Sequence, residues 1–151
     1  MSRLEKQRLP WPFTLKIADR WTARYQENQI AYIPPIAPMG MDVYVMGHFS
    51  ADDPAKQDAV FAEAQKFTSE TFARYFKTVV SEQDFSWTQV AGERAMYFEA
   101  FAPRRPSAKW RQWAFVKNGW CILVVSLIDR ENEAQLFPDV QRMIATLEVQ
   151  K

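Results

Sequence analysis

The sequence predicts an α+β domain: a largely antiparallel sheet of six or seven strands, one long central helix and a C-terminal helix. Three observations carry this. Segments that alternate in polarity with a period of two recur along the chain, and several are joined by turns too short for a parallel crossover. One stretch after Pro54 keeps a helical stripe for about two dozen residues, near ~1.5 Å of rise each. A second helical stripe closes the chain. With 151 residues, the whole chain from 1 to 151 suits one domain with one substantial core.

The elements follow in order. FTLKI, Phe13 to Ile17, alternates as a strand with Phe13, Leu15 and Ile17 on one face. Ala18-Asp19-Arg20 turns the chain into Trp21, and a strand from Thr22 to Tyr25 meets the turn Gln26-Glu27-Asn28. Ile30 to Ile33 is extended and ends at Pro34-Pro35, because proline cannot donate to a ladder. Met41 to Phe49 is a strand with Met41, Val43, Val45 and Phe49 on one face and Tyr44, Met46 and His48 on the other. Asp52-Asp53 then supplies a cap, with Pro54 at the first helical position. The helix runs to about Phe76. Its apolar stripe is Phe61, Ala64, Thr68, Phe72, Tyr75 and Val79; Lys56, Glu63, Lys66, Glu70, Arg74 and Lys77 form its charged face. Ala62, Gln65, Ser69 and Ala73 make a small, uncharged edge between them.

Four strands follow: Gln83 to Val90, Arg94 to Ala102, Trp110 to Lys117 and Trp120 to Ile128. Ala91-Gly92-Glu93 and Asn118-Gly119 are tight turns, the second with the residues a type I′ hairpin demands. Pro103 to Ser107 is a looser loop. Pro138 opens the main part of the last helix, with Val140, Met143, Ile144 and Leu147 as its stripe, and Glu131 to Leu136 is a separate helical turn. Folded about Asn118-Gly119, the last hairpin is apolar on both sides. Trp113, Phe115, Trp120, Ile122 and Val124 share one face; Ala114, Val116, Cys121, Leu123, Val125 and Leu127 share the other. A sheet wet on one side should alternate apolar and polar. Two helices ~10 Å wide cannot roof both faces of six or seven strands spaced ~4.8 Å apart. Some apolar sheet surface should stay open or be closed by a partner.

Chemistry is sparse. With 19 basic and 18 acidic residues the chain has no broad electrostatic footprint for nucleic acid or an anionic membrane. Arg104, Arg105, Lys109 and Arg111 could form a local basic patch, or a solvated loop. The single cysteine, Cys121, excludes an intrachain disulfide and a cysteine metal cluster, and reads as a buried small hydrophobe. The single histidine, His48, excludes a histidine pair, and Ser50 beside it lacks a glycine-rich oxyanion loop. Four glycines in the chain argue against phosphate-cradling loops. The expectation is a protein that is not an enzyme, with no cofactor and no metal. The N-terminus has no apolar h-region and no run of ~18 apolar residues occurs, which predicts a soluble, cytoplasmic chain without stable membrane association. Gln112 stands on the apolar face of Trp110, Ala114 and Val125. It must hydrogen-bond neighbouring backbone or face a groove that something enters. Gln65 and Ser69 suit the groove reading, because small residues let a second helix approach and the amide or hydroxyl can bond to it.

FTLKIADRW near the start, VAGERAMYFEAF as a hairpin with a glycine corner, and the aromatic hairpin WAFVKNGWCILVVSL carry a resemblance that covers nearly the whole chain. The chain resembles the Mog/PsbP-like fold, which includes the photosystem PsbP proteins, the Ran-binding Mog-type proteins and the bacterial DcrB-type proteins. Within it, the strand ending in Trp21, the long helix after the third strand and the pair Arg111-Gln112 are similar to the Eag chaperones of type VI secretion. That resemblance implies a cytoplasmic homodimer holding transmembrane-like apolar helices of an effector protein until secretion. It also implies a client groove of Gln65, Ser69 and Gln112, with Ile30, Tyr32, Val43 and Val45 as apolar wall. The competing expectations are an immunity or inhibitor protein that binds a soluble toxin domain, and a small-ligand carrier or enzyme using the space between sheet and helix.

Overall fold

The structure, a computed structural model, describes residues 3–5, 11–36, 40–48, 54–102 and 105–150. Expectations placed on Phe49, Ser50, Asp52, Asp53, Pro103 and Arg104 fall outside these residues. Among the described residues, ten strands and two α-helices follow in order, with one turn of 3-10 helix at Glu82–Asp84: β1 (Arg3–Glu5), β2 (Phe13–Ile17), β3 (Thr22–Tyr25), β4 (Gln29–Ile33), β5 (Met41–His48), α1 (Pro54–Phe76), β6 (Phe85–Val90), β7 (Glu93–Ala102), β8 (Arg105–Lys117), β9 (Trp120–Asp129), α2 (Arg130–Ala145) and β10 (Glu148–Val149). The predicted α+β class holds. Seven strands form one antiparallel sheet in the order β3-β4-β5-β9-β8-β7-β6.

Directly opposed residues on neighbouring strands share a face, so the register reads straight across the sheet. One row runs Phe85, Phe98, Gln112, Val125, Asp42, Ala31 and Arg24; the next runs Trp87, Met96, Ala114, Leu123, Tyr44 and Gln29. Both lie on the side of α1. On the other side a row runs Tyr97, Trp113, Val124, Val43, Ile30 and Tyr25.

The second side is closed by two layers. Leu136, Val140 and Met143 of α2 pack on it, and so do Phe13, Leu15 and Ile17 of β2, each fully buried. Sequence patterning predicted β2 as a strand without saying which sheet it joins. It sits in a separate three-stranded sheet, β1-β2-β10, whose outer strands are too short to show periodicity. This small sheet supplies the cover that two helices alone could not.

Three further elements differ from expectation. α2 is continuous through Pro138. Leu136 in the core and Glu133 paired with Arg111 hold the first turns in line with the rest. β5 carries a bulge between Val45 and Gly47, so His48 changes face and sets its ring 4.6 Å from that of Trp120. β8 begins at Arg105 rather than Trp110, after a register shift at Phe101/Ala102.

Candidate binding site on the long-helix face

α1 lies along β7 and β8. Phe61 meets Trp87 edge to face at 4.9 Å, Gln65 Nε2 stands 3.4 Å from Met96 Sδ, and Phe72 packs against Phe98 and Trp110 at 5.3 and 5.2 Å. Ala64 reaches the cluster of Met96, Ala114, Leu123 and Val125. The expected stripe is therefore buried at Phe61, Ala64, Thr68 and Phe72, whereas Tyr75 and Val79 are exposed where the helix runs out. Burying a phenylalanine such as Phe72 contributes about 2–3 kcal/mol.

Beneath the helix lies a short chain of hydrogen bonds. Gln112 Nε2 donates to Thr68 Oγ1 at 2.6 Å, Thr68 donates to the Ala64 carbonyl at 3.0 Å, and Trp110 Nε1 donates to Gln112 Oε1 at 3.2 Å. Gln112 and Thr68 are 1% and 0% exposed. Gln112 faces neither neighbouring backbone nor an open groove. Its amide fastens the middle of α1 to the sheet.

The seven residues expected in one groove are not brought together. Ile30, Tyr32 and Val43 are fully buried in the core on the far side of the sheet, and Val45 packs against that core. The reason is the two-residue period: Val43 opposes Val124, whereas the residue in the row of Gln112 is Asp42. Gln65 lies on the β7 edge of α1, and Ser69, one turn on, shares that edge. Of the expected basic patch, Arg104 and the Arg105 side chain lie outside the described residues, and the other two cations are paired. Arg111 is buried against the Phe137 ring and paired with Glu133, and Lys109 pairs with Glu99.

What α1 leaves uncovered is the other half of its own face. Over β3 to β5 and the end of β9, Ala31, Ile33, Tyr44 and Leu127 are only half-buried, and Met46 is 41% exposed. On the helix edge toward them, Phe67 is 39% exposed. This shelf opens at one end into a cleft of about 360 Å³ between Val60 and Glu63 of α1 and Met46 and Cys121 of the sheet. Three polar groups sit in its floor. Gln29 Nε2 donates to Asp42 at 2.8 Å. Burial pushes the Asp42 carboxyl up, the bond from Gln29 partly opposing it. Burial, with the Asp42 charge adding, pushes the Tyr44 phenol up. An apolar surface with a few convergent polar groups is the usual make-up of a binding site. Alternation along Met41 to His48 showed Tyr44 and Met46 opposite to Val43, and was the signal for this shelf. A larger hollow, about 660 Å³, is lined among the described residues by α1 alone.

Burial pushes the Cys121 thiol up to about 11, which suits the small hydrophobe expected there. Among the described residues no three His, Cys, Asp or Glu side chains cluster to hold a metal ion, and no helix is long and apolar enough to cross a membrane.

No family model and no curated protein matches the sequence. Solved structures do match the fold. CyanoP, the cyanobacterial PsbP of Synechocystis sp. PCC 6803, superposes with a TM-score of 0.66 at 7% identity, over 99% of this chain and 94% of that one. The fold is PsbP-like. LpqN of Mycobacterium tuberculosis, a protein involved in cell envelope biogenesis, gives 0.53 at 11% identity over 100% of this chain and 91% of its own. A protein from Bacteroides thetaiotaomicron VPI-5482 gives 0.64 at 12% identity over 93% of this chain; the match spans 46% of the Bacteroides chain, about half its length. At these identities the likeness concerns architecture alone.

Proposed function

We propose that this PsbP-like domain is a non-enzymatic, cytoplasmic chaperone or adaptor that holds an apolar helical segment of a partner protein, such as an effector of type VI secretion. The observation that carries this is the half-covered α1 face. Three strands at ~4.8 Å give the shelf a width of ~14 Å, room for one helix ~10 Å across beside α1. Ala31 and Ile33 are small or aliphatic enough to let such a helix lie close, Tyr44 and Phe67 supply larger contacts, and Asp42 and Gln29 can bond a polar group on it. Gln112 acts in this reading by fixing α1, the wall of the shelf, rather than by touching the client.

The test is capture from the native cells, with the bound proteins quantified by mass spectrometry. The tagged protein is compared with Ala31→Lys, Ile33→Lys and, on the solvent face of α1, Glu70→Lys. A partner with an apolar segment should be recovered by the parent and by Glu70→Lys and lost from both shelf variants, with circular dichroism unchanged. Equal recovery by all four proteins would refute the shelf as the site.

A further inference from the structure

Among the described residues the sheet floor of the shelf holds one carboxylate, and that carboxylate lies at the centre rather than the rim. Asp42 stands directly opposite Ala31 on one side and Val125 on the other. The rows next to it along the strands bring Ile33 and Leu127 at one end and Tyr44 and Gln29 at the other. Asp42, Tyr44 and Gln29 are each half-buried.

Gln29 Nε2 donates to one Asp42 oxygen at 2.8 Å. That bond leaves three acceptors close together: the second Asp42 oxygen, Gln29 Oε1 and Tyr44 Oη. Gln29 and Tyr44 are directly opposed on neighbouring strands, and the Asp42 charge acts on the Tyr44 phenol. Among the described residues no cation pairs with this carboxylate. Arg24 shares its row but stands beyond Ala31, exposed, and the charged group that α1 turns toward the cleft end of the shelf is acidic, Glu63.

A purely apolar helix seated on the shelf would strip the remaining water from Asp42 and leave its charge with one amide. A buried charge is costly unless it is both paired and hydrogen-bonded. The floor therefore discriminates among apolar segments by what they bring to its centre. A lysine ammonium supplies the missing opposite charge, and its three donors match the three acceptors. Ala31, with only a methyl group, leaves room for the lysine stem to lie along the floor. Burial pushes the Asp42 carboxyl up, and a cation beside it acts in the opposite sense.

We propose that Asp42, with Gln29 and Tyr44, selects a partner helix that carries a lysine in the middle of its apolar face. The inference rests on the shelf reading given above and adds the chemistry by which the shelf chooses its occupant. Apolar residues three and four positions to either side of that lysine would lie against Ile33 and Leu127 in one direction and the Tyr44 ring in the other.

Fluorescence anisotropy with defined peptides tests it. Three helical peptides of ~18 residues, built of alanine and leucine with neutral polar ends, differ only at the central position, which is lysine, norleucine or glutamate. Each is titrated with the parent chain, Asp42→Asn, Asp42→Lys and Ile33→Lys, with circular dichroism confirming the fold of every variant. The parent should bind the lysine peptide at least about tenfold more tightly than the norleucine peptide, and the glutamate peptide least tightly. Asp42→Asn should bring the lysine and norleucine peptides within about twofold of each other, and Asp42→Lys should favour glutamate. Ile33→Lys should lose the lysine and norleucine peptides alike. Equal parent affinity for those two peptides, or a lysine preference that survives Asp42→Asn, overturns the selective role of Asp42 while the loss in Ile33→Lys still upholds the shelf. Failure of the parent to bind any peptide, or binding unchanged by Ile33→Lys, refutes the shelf and the inference with it. Self-association of the parent that Ile33→Lys abolishes does the same, because a second copy would then be the occupant.

Discussion

Thr68→Val tests the fastening of α1 through an asymmetry between the two partners. In the parent, Gln112 Nε2 donates to Thr68 Oγ1 at 2.6 Å, with both residues essentially without solvent. Removing the threonine oxygen strands a buried amide donor, which costs about 1–3 kcal/mol. Gln112→Leu strands less. Thr68 keeps its own bond to the Ala64 carbonyl, and half-buried Trp110 can turn its N–H to water, so the loss is about 0.5–1.5 kcal/mol. In the Gln112→Leu background Thr68→Val removes nothing further between the two side chains, and its cost should fall to within about 0.5 kcal/mol of zero. The coupling between the sites is then about 1–3 kcal/mol. Urea unfolding of the four proteins, followed by circular dichroism with the slope held in common, measures it. Strictly additive single effects would refute the fastening role of Gln112.

Three other outcomes follow from the same structure. Gly40→Ala should destabilise by about 1–3 kcal/mol in thermal or urea unfolding, because the added Cβ meets the Tyr32 carbonyl at 2.6 Å, Pro34 Cδ at 2.7 Å and Trp21 Cζ3 at 2.8 Å. Ala91→Gly should stabilise by about 0.5–1 kcal/mol in the same assay, since Ala91 sits at φ 54° where only glycine rests without a steric cost. Stability should fall as pH rises from about 9 to 12: the thiol of Cys121 and the phenol of Tyr97 ionise at ordinary values of 9 and 10 in the unfolded chain but are pushed up, chiefly by burial, to about 11 and about 12 in the fold, so the folded state holds protons the unfolded state has released. Urea midpoints at pH 8, 10 and 11.5 should fall in that order.

The legible parts of the fold were those with a strong local period. The Asn118-Gly119 hairpin, the Ala91-Gly92 hairpin and the long helix all stand where their residues put them, because each side of those elements is sorted by burial. β1 and β10, of three and two residues, are too short for any period to show. Without them the cover over the far side of the sheet could not be foreseen, and which apolar face stays open could not be decided. The bulge at Gly47 moved His48 across the sheet; a glycine inside a strand was its only signal. The groove residues were the least legible, because a one-residue difference in parity decides which side of a sheet a wall lies on. Ile30, Tyr32 and Val43 were apolar for the core, and the shelf fell to their neighbours Ala31, Ile33, Asp42 and Tyr44. The buried Gln112 was visible as an anomaly, but its partner, Thr68, was hidden in the helical stripe as an apparent hydrophobic position.

Occupation of the shelf is tested most directly by site-specific photocrosslinking in the native cells. A photoreactive side chain is placed at Ile33, in the open half of the α1 face, and at Glu70, on the solvent side of α1. The account predicts crosslinks from position 33 to one apolar segment of one partner, falling on residues spaced three and four apart, and few from position 70. Equal crosslinking from both positions, or crosslinks from position 33 that scatter over polar surfaces of many proteins, would contradict it.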